Sequence, residues 1–231
     1  MKVQRKWFLA AALLLPLLFV TTIKANEREE PTFRWDIVHI SSFSPVTVNA
    51  GGSGSALSND CATVMMVTTC AKITVTGSGT FTPGDPDNVS GGGNWQTFDK
   101  TGASTGSGTY KVTRLIQFTT APGTQTSTLV DNIGDGTLTD NRAGLAFFSI
   151  KYFDNLGDPI HGAGGKGVLV VSCHLNGNPP PQGPDAAPPS IFEGITASKG
   201  FVDYWNRVAP VGGVDGNRTL FHVLAQDQHN E

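Results

Sequence analysis

Residues 108–119 read Gly-Thr-Tyr-Lys-Val-Thr-Arg-Leu-Ile-Gln-Phe-Thr, and this stretch decides the fold class. In an extended chain, side chains alternate between two faces. One face would carry Tyr110, Val112, Ile116 and Phe118. The other would carry Lys111, Thr113 and Gln117. An apolar face opposite a polar one, at period two, is typical of a half-buried strand in an antiparallel sheet.

The same alternation recurs elsewhere in the chain. It is clear in residues 71–82, 142–153 and 167–175. Weaker strand candidates are residues 33–41, 94–98, 126–131, 200–205 and 218–224. Clusters of Gly, Pro, Asp and Asn separate these segments and predict turns. We therefore expect an all-β protein built as an antiparallel β-sandwich, immunoglobulin-like in the broad sense, although the Trp and disulfide pattern of antibody domains is absent.

The N-terminus has the features of an export signal. Lys2, Arg5 and Lys6 precede an uncharged run over residues 7–23, and the chain becomes polar and acidic from Asn26. This order is typical of a secretory signal peptide over residues 1–25. The run is shorter than the roughly 20 residues of a membrane-spanning helix. The alternative is an uncleaved anchor over residues 7–23; in both cases the remaining chain is secreted or extracytoplasmic.

The charge of the exported part limits its partners. Residues 26–231 contain 12 Lys and Arg against 19 Asp and Glu, a formal charge of −7, without a basic run. Nucleic acid and anionic membranes are therefore disfavoured as main partners. We expect membrane association only if the N-terminal segment stays uncleaved.

Proline divides the exported part. Six prolines fall within residues 178–189, which predicts an extended connection that cannot join a sheet interior. The domain prediction is a β-sandwich over residues 26–177, this connection, and a C-terminal segment, 190–231, that docks on the sandwich because it is aromatic but too short for its own core.

Three cysteines allow one disulfide in an oxidising compartment: Cys61, Cys70 and Cys173. A straight strand would hold Cys61 and Cys70 about 30 Å apart, far beyond disulfide reach. Either the chain turns back between Cys61 and Cys70, which we favour, or Cys173 pairs with one of them.

The best metal candidate is an acidic turn with Asp131, Asp135 and Asp140, whose oxygens would suit calcium. It is not an EF-hand, because Ile133 and Arg142 occupy positions that need oxygen ligands. No other cofactor is predicted.

Residues 102–106 match the G-x-S-x-G string of a nucleophile elbow. Such an elbow requires a strand directly before the serine and a helix after it, and the sequence predicts neither. Trp35, Trp95 and Trp205 are expected in the core rather than on a sugar-binding surface.

Two functions from different classes remain. The first is an exported, non-enzymatic module for binding or for surface and structural roles, with a carbohydrate or a protein as the extracellular ligand. The alternative is a secreted hydrolase or other carbohydrate-active protein whose site forms only in the fold. Its candidate residues are Asp131, Asp135, Asp140, Glu193, Asp203 and His174.

Overall fold

The computed structural model describes residues 30–121, 129–133, 140–175 and 193–224. These residues form sixteen β-strands in one large, mostly antiparallel sheet. The strands are β1 (Phe33–Phe43), β2 (Val46–Asn49), β3 (Ser53–Val64), β4 (Val67–Thr76), β5 (Ser78–Thr82), β6 (Asp85–Val89), β7 (Gly92–Phe98), β8 (Ser104–Thr120), β9 (Leu129–Asp131), β10 (Asn141–Arg142), β11 (Gly144–Phe153), β12 (Lys166–Cys173), β13 (Gly194–Lys199), β14 (Val202–Tyr204), β15 (Asn206–Arg207) and β16 (Gly213–Val223).

Helix is nearly absent from this part of the chain. One 3-10 turn, Ala163–Gly165, precedes β12. No helix among the described residues is long and apolar enough to cross a membrane. The all-β prediction is confirmed. The N-terminal export segment lies outside the described residues and stays a prediction.

The strands follow one hydrogen-bonded path, β10-β16-β1-β5-β7-β8-β11-β12-β13-β14, with the remaining strands attached to its members. The long ladders β1–β16, β8–β11 and β11–β12 are antiparallel. The short β2–β9 pair is parallel. Because the path joins these strands in one open sheet, the separate sheets of an immunoglobulin-like sandwich stay a prediction.

The core is centred on Phe81. Its ring lies 4.8 Å from that of Phe118 and 5.5 Å from that of Phe148, measured between centroids. Phe81 is on β5, whereas Phe148 is on β11, several strands away in the hydrogen-bonded order. The sheet therefore bends so that distant strands share one apolar interior, and truncating a ring such as Phe81 would cost about 3–5 kcal/mol.

One residue of β8 that was predicted on the apolar face, Ile116, is exposed in the structure. Leu115 is buried and Ile116 is 52% exposed, the reverse of the expectation. In the ladder with β11, Phe147 is opposite Gln117 and Phe148 is opposite Leu115, so Ile116 is skipped. A residue inserted without a partner is a β-bulge, and here it places Leu115 on the buried face. A second register shift, between Ser149 and Ile150 of β11, keeps Val112 and Tyr110 buried.

Several strands differ from the predicted segments. Residues 71–82 are divided at Gly77, where an added Cβ would clash with the Tyr110 hydroxyl. Five strands were not predicted: β2, β3, β6, β13 and β15. Strand β6 overlaps residues 83–87, whose Pro, Gly and Asp residues predict a turn, and β3 lacks an apolar alternation. Strand β3 forms instead because it pairs with β4 over residues 53–57 and 61–64.

The C-terminal part of the described chain contributes to the same sheet. Strand β13 pairs with β12, and β16 pairs with β1 from Phe33 to Ile40. The predicted connection over residues 178–189 lies outside the described residues. The proposed division into residues 26–177 and 190–231 therefore stays a prediction.

The disulfide joins Cys61 to Cys70. The two cysteines are directly opposite each other in the β3–β4 hairpin, whose turn is formed by Met65 and Met66. The favoured pairing is confirmed, and the chain reverses between the cysteines as that pairing requires. Cys173 is free and buried on β12.

Candidate functional site

A pocket of about 250 Å³ lies beside strands β1 and β16. Val38 and Ile40 of β1 line it, whereas Trp35 and Ile37 of the same strand belong to the face that meets the aromatic core. Most of the wall is apolar and comprises Val38, Ile40, Phe43, Val46, Val48, Leu129, Leu175 and Leu220. The polar part comprises His174, Glu193, Arg218 and Thr219.

Glu193 is the buried acid of this pocket, with 8% of its surface exposed. Its Oε2 accepts a hydrogen bond of 2.7 Å from the backbone N–H of His174. Its Oε1 accepts one of 2.7 Å from the backbone N–H of Thr219. The carboxyl group therefore joins the end of β12 to the middle of β16.

Burial raises the pKa of Glu193 to about 7. The backbone N–H groups of Thr219 and His174 and the charge of Arg218 act in the opposite direction, because they stabilise the carboxylate. Desolvation is the larger effect. A carboxyl group with a pKa near neutrality in an apolar pocket is a recognised mark of a functional site.

Asn217 fixes the strand that begins beside Glu193. Its Oδ1 accepts a hydrogen bond of 3.0 Å from the N–H of Ile195, and its Nδ2 donates to the carbonyl of Val208 at 2.6 Å. Gly194 has a φ of 109°, and a Cβ there would overlap the amide of Asn217. Glycine at this position lets the buried amide reach the backbone next to Glu193.

A second polar group, formed by His222 of β16 and Asp131 of β9, lies on strands that also line the pocket. Because side chains alternate, Leu220 and His222 share one face of β16, as Leu129 and Asp131 share one face of β9. Nε2 of His222 is 2.6 Å from Oδ2 of Asp131. Burial by itself raises the pKa of Asp131, but the hydrogen bonds from His222 and Ile133 hold it below its usual value.

Two buried side chains here, His222 itself and the neighbouring Asn141, have polar atoms without a hydrogen-bond partner among the described residues. They are the amide of Asn141, at both Oδ1 and Nδ2, and Nδ1 of His222. Asn141 is opposite His222 in the β10–β16 pair. Across β16, Arg34 is opposite His222 in the β1–β16 pair.

The predicted calcium residues are placed only in part. Asp131 pairs with His222, and Asp140 directly precedes β10. Asp135 lies outside the described residues. No group of three or more His, Cys, Asp or Glu side chains suited to a metal occurs in the part of the chain that the structure describes. The calcium site stays a prediction.

Of the six candidates for a hydrolytic site, the pocket brings together two, Glu193 and His174. Asp203 is exposed on β14 and is not part of the lining. Sequence reasoning missed Arg218 and Thr219. Arg218 and Thr219 are two of several polar residues in the C-terminal strand, and only the fold shows that they line the same pocket as Glu193.

Three other motifs have structural explanations. Ser104 of the G-x-S-x-G string begins β8, and a strand rather than a helix follows it. The Gly-rich residues 161–167 resemble a phosphate-binding loop only faintly, because Ile160 and Gly167 stand where that loop needs Gly and Ser or Thr; they contain the short 3-10 turn that leads into β12. Trp35 and Trp95 are buried as expected, whereas Trp205 is 47% exposed, contrary to expectation.

The site therefore combines a mainly apolar cavity with one carboxyl group whose pKa is raised to about 7. Comparison of the chain with known protein families, with curated proteins and with solved structures finds no match.

Proposed function

We propose that the protein is an exported, non-enzymatic binding module, and that the pocket beside β1 and β16 is its ligand site. The observation that carries the proposal is the buried carboxyl group of Glu193 within a mainly aliphatic wall. Such a combination is typical of ligand pockets, in which a few polar groups orient a mostly apolar ligand.

The contacts of the polar residues support binding rather than catalysis. Both oxygens of Glu193 accept backbone N–H groups, so the carboxyl is held in place as a fixed acceptor. His174 makes its contact with Glu193 through the backbone. The hydroxyl of Thr219 donates to the carbonyl of Ser172 at 2.6 Å and is not poised as a nucleophile.

The dimensions of the pocket indicate the class of ligand. Its volume of about 250 Å³ is below the range for drug-sized molecules, so the occupant is a small amphipathic molecule or the aliphatic end of a larger one. Phe43 is the one aromatic residue of the wall, which favours an aliphatic group over a stacked sugar ring. The polar end of the ligand would meet Glu193 and Arg218.

A secreted hydrolase remains the second candidate because of the pKa of Glu193. A carboxyl group that titrates near pH 7 has the proton affinity of an effective general base. Turnover of a bound compound, lost in Glu193→Gln, would favour this candidate over a passive binding module.

A fragment screen on the full chain tests the binding proposal. Small amphipathic compounds would be screened by ligand-observed NMR, and hits would be repeated with Val46→Trp, which replaces a small lining residue by a bulky one. Val214→Trp, at an exposed position outside the lining, is the control. We expect hits that Val46→Trp abolishes and Val214→Trp keeps. Hits that survive Val46→Trp, or a complete absence of hits, would contradict the proposal.

A further inference from the structure

The most exposed apolar group in the described chain is the end of the β3–β4 hairpin. Residues 64–67, Val-Met-Met-Val, form this hairpin tip. Val64 is opposite Val67, and Met65 and Met66 make the turn between them. Met65 is 91% exposed and Met66 is 98% exposed. Four consecutive apolar side chains at the end of a hairpin are available for contact with another surface.

Local stability does not explain methionine in this turn. Met65 and Met66 have φ angles of 50° and 66°. Two positive φ angles are typical of a type I′ turn, which favours Asn and Gly because a side chain with a Cβ is strained there. An exposed site that breaks a local preference is a place to look for function.

The hairpin below the tip is stiff. The disulfide joins Cys61 to Cys70 across the two strands. The hydroxyls of Thr63 and Thr68 share a hydrogen bond of 2.8 Å, directly beneath the tip. Because these links already restrict the hairpin, docking the tip would cost little conformational entropy.

The tip and its neck have no charge. Residues 61–71 form a run of eleven uncharged residues between Asp60 and Lys72. Asp60 pairs with Lys100 at 3.0 Å at the base of this run. The tip has none of the Trp, Tyr or Arg side chains that contribute most to the binding energy of protein–protein contacts.

We propose that the hairpin tip inserts into the outer layer of a zwitterionic lipid bilayer. Insertion is shallow, since the outer edges of a two-stranded ribbon carry unpaired backbone groups that cannot enter hydrocarbon. The absence of basic residues in the tip and the acidic charge of the exported part favour neutral headgroups over anionic ones. This contact is separate from the ligand pocket. It does not require the N-terminal segment as an anchor, so it departs from the expectation, drawn from the sequence, that membrane association depends on an uncleaved N-terminal segment.

Methionine oxidation tests the proposal at the residues concerned. The chain has three methionines, and Met65 and Met66 are the two beyond Met1. Dilute peroxide would be added to the full chain with and without phosphatidylcholine vesicles, and sulfoxide at each position followed by peptide mass spectrometry. We expect vesicles to slow oxidation of Met65 and Met66 by at least about threefold, because peroxide reacts with exposed thioether groups.

Phe201→Met supplies a matched control, since Phe201 is 95% exposed and lies outside the hairpin. Its oxidation should be the same with and without vesicles. Three results would overturn the proposal. The vesicles could leave Met65 and Met66 unprotected, or protect position 201 equally. A higher protein concentration without lipid could protect the tip to the same degree, which would identify a second copy of the chain as its partner.

Discussion

Nε2 of His222 lies 2.6 Å from Oδ2 of Asp131, and the imidazole ring is completely buried. This contact joins β16, the second strand of the path, to β9, which among the described residues forms its ladder with β2. The carboxylate that accepts the hydrogen bond keeps a lowered pKa despite its partial burial. The pair therefore holds a short, weakly paired strand against the wall of the pocket, because Leu129 of β9 is part of that wall.

Asp131→Ala is expected to lower the free energy of unfolding by about 1–3 kcal/mol, because it leaves a buried imidazole N–H without an acceptor. The measurement is urea denaturation at neutral pH. Asp87→Ala is the matched control: Asp87 pairs with Arg114 at 2.7 Å, but both side chains are more than half exposed. An exposed pair contributes little, so the control should change stability by less than about 1 kcal/mol. Equal effects of the two substitutions would contradict the role given to the buried pair.

Glu193 should make the protein less stable as the pH rises. Its pKa is raised from an ordinary 4.5 to about 7, so the folded state binds the proton more tightly than the unfolded state. The stability from this group is complete below pH 4.5 and is lost as the pH increases through about 7. The full difference corresponds to about 3 kcal/mol. Denaturation curves between pH 4.5 and 8 would measure it.

Glu193→Gln is the control for this pH dependence. The amide cannot titrate, so the decrease between pH 4.5 and 7 should be reduced in the variant by the part due to Glu193. The variant is also expected to be less stable overall, since the amide N–H₂ would face one of the backbone N–H groups of His174 and Thr219. The same pH slope in both proteins would show that other groups cause it.

The sequence was informative where apolar residues alternate. Strands β1, β8, β11, β12 and β16 overlap segments chosen from that pattern, because their alternate side chains enter the core. Strands β3 and β6 have no such pattern and depend on their partners β4 and β5. The exposure of Ile116 could not be foreseen either, since a bulge depends on the register with the neighbouring strand.

The site was predictable only as a set of candidate residues. Glu193 is the one glutamate between Glu30 and the last residue, which made it conspicuous in the sequence. Its environment depends on Thr219, 26 residues further along the chain, and on the apolar wall contributed by β1, β2 and β9. Such long-range juxtaposition is set by strand order, and local sequence carries no signal for it.

Thiol labelling should find no reactive cysteine in the folded protein and one in the unfolded protein without reductant. Cys61 and Cys70 form the disulfide, and Cys173 is free but buried. Burial and the nearby carboxyl of Glu193 raise the pKa of the Cys173 thiol, which further lowers its reactivity. Ellman's reagent, with and without guanidinium chloride, gives the two counts. Three reactive thiols after unfolding would exclude the disulfide, and rapid reaction before unfolding would contradict the burial of Cys173.

Replacing Met65-Met66 by Asn-Gly should stabilise the hairpin. Both positions have positive φ angles, which Asn and Gly adopt at lower cost than Met, so the turn should gain about 1–2 kcal/mol. Hydrogen exchange of the amides in residues 61–70 measures the gain directly, because opening of the hairpin need not involve the core around Phe81.

Met65→Ala with Met66→Ala is the matched control, since it removes the same apolar side chains but keeps a Cβ at each position of the turn. Slower exchange in the Asn-Gly variant, with no slowing in the Ala-Ala variant, would show that the native tip is maintained against the preference of its own turn. Equal exchange in the two variants and the wild type would remove that evidence for a selected apolar surface.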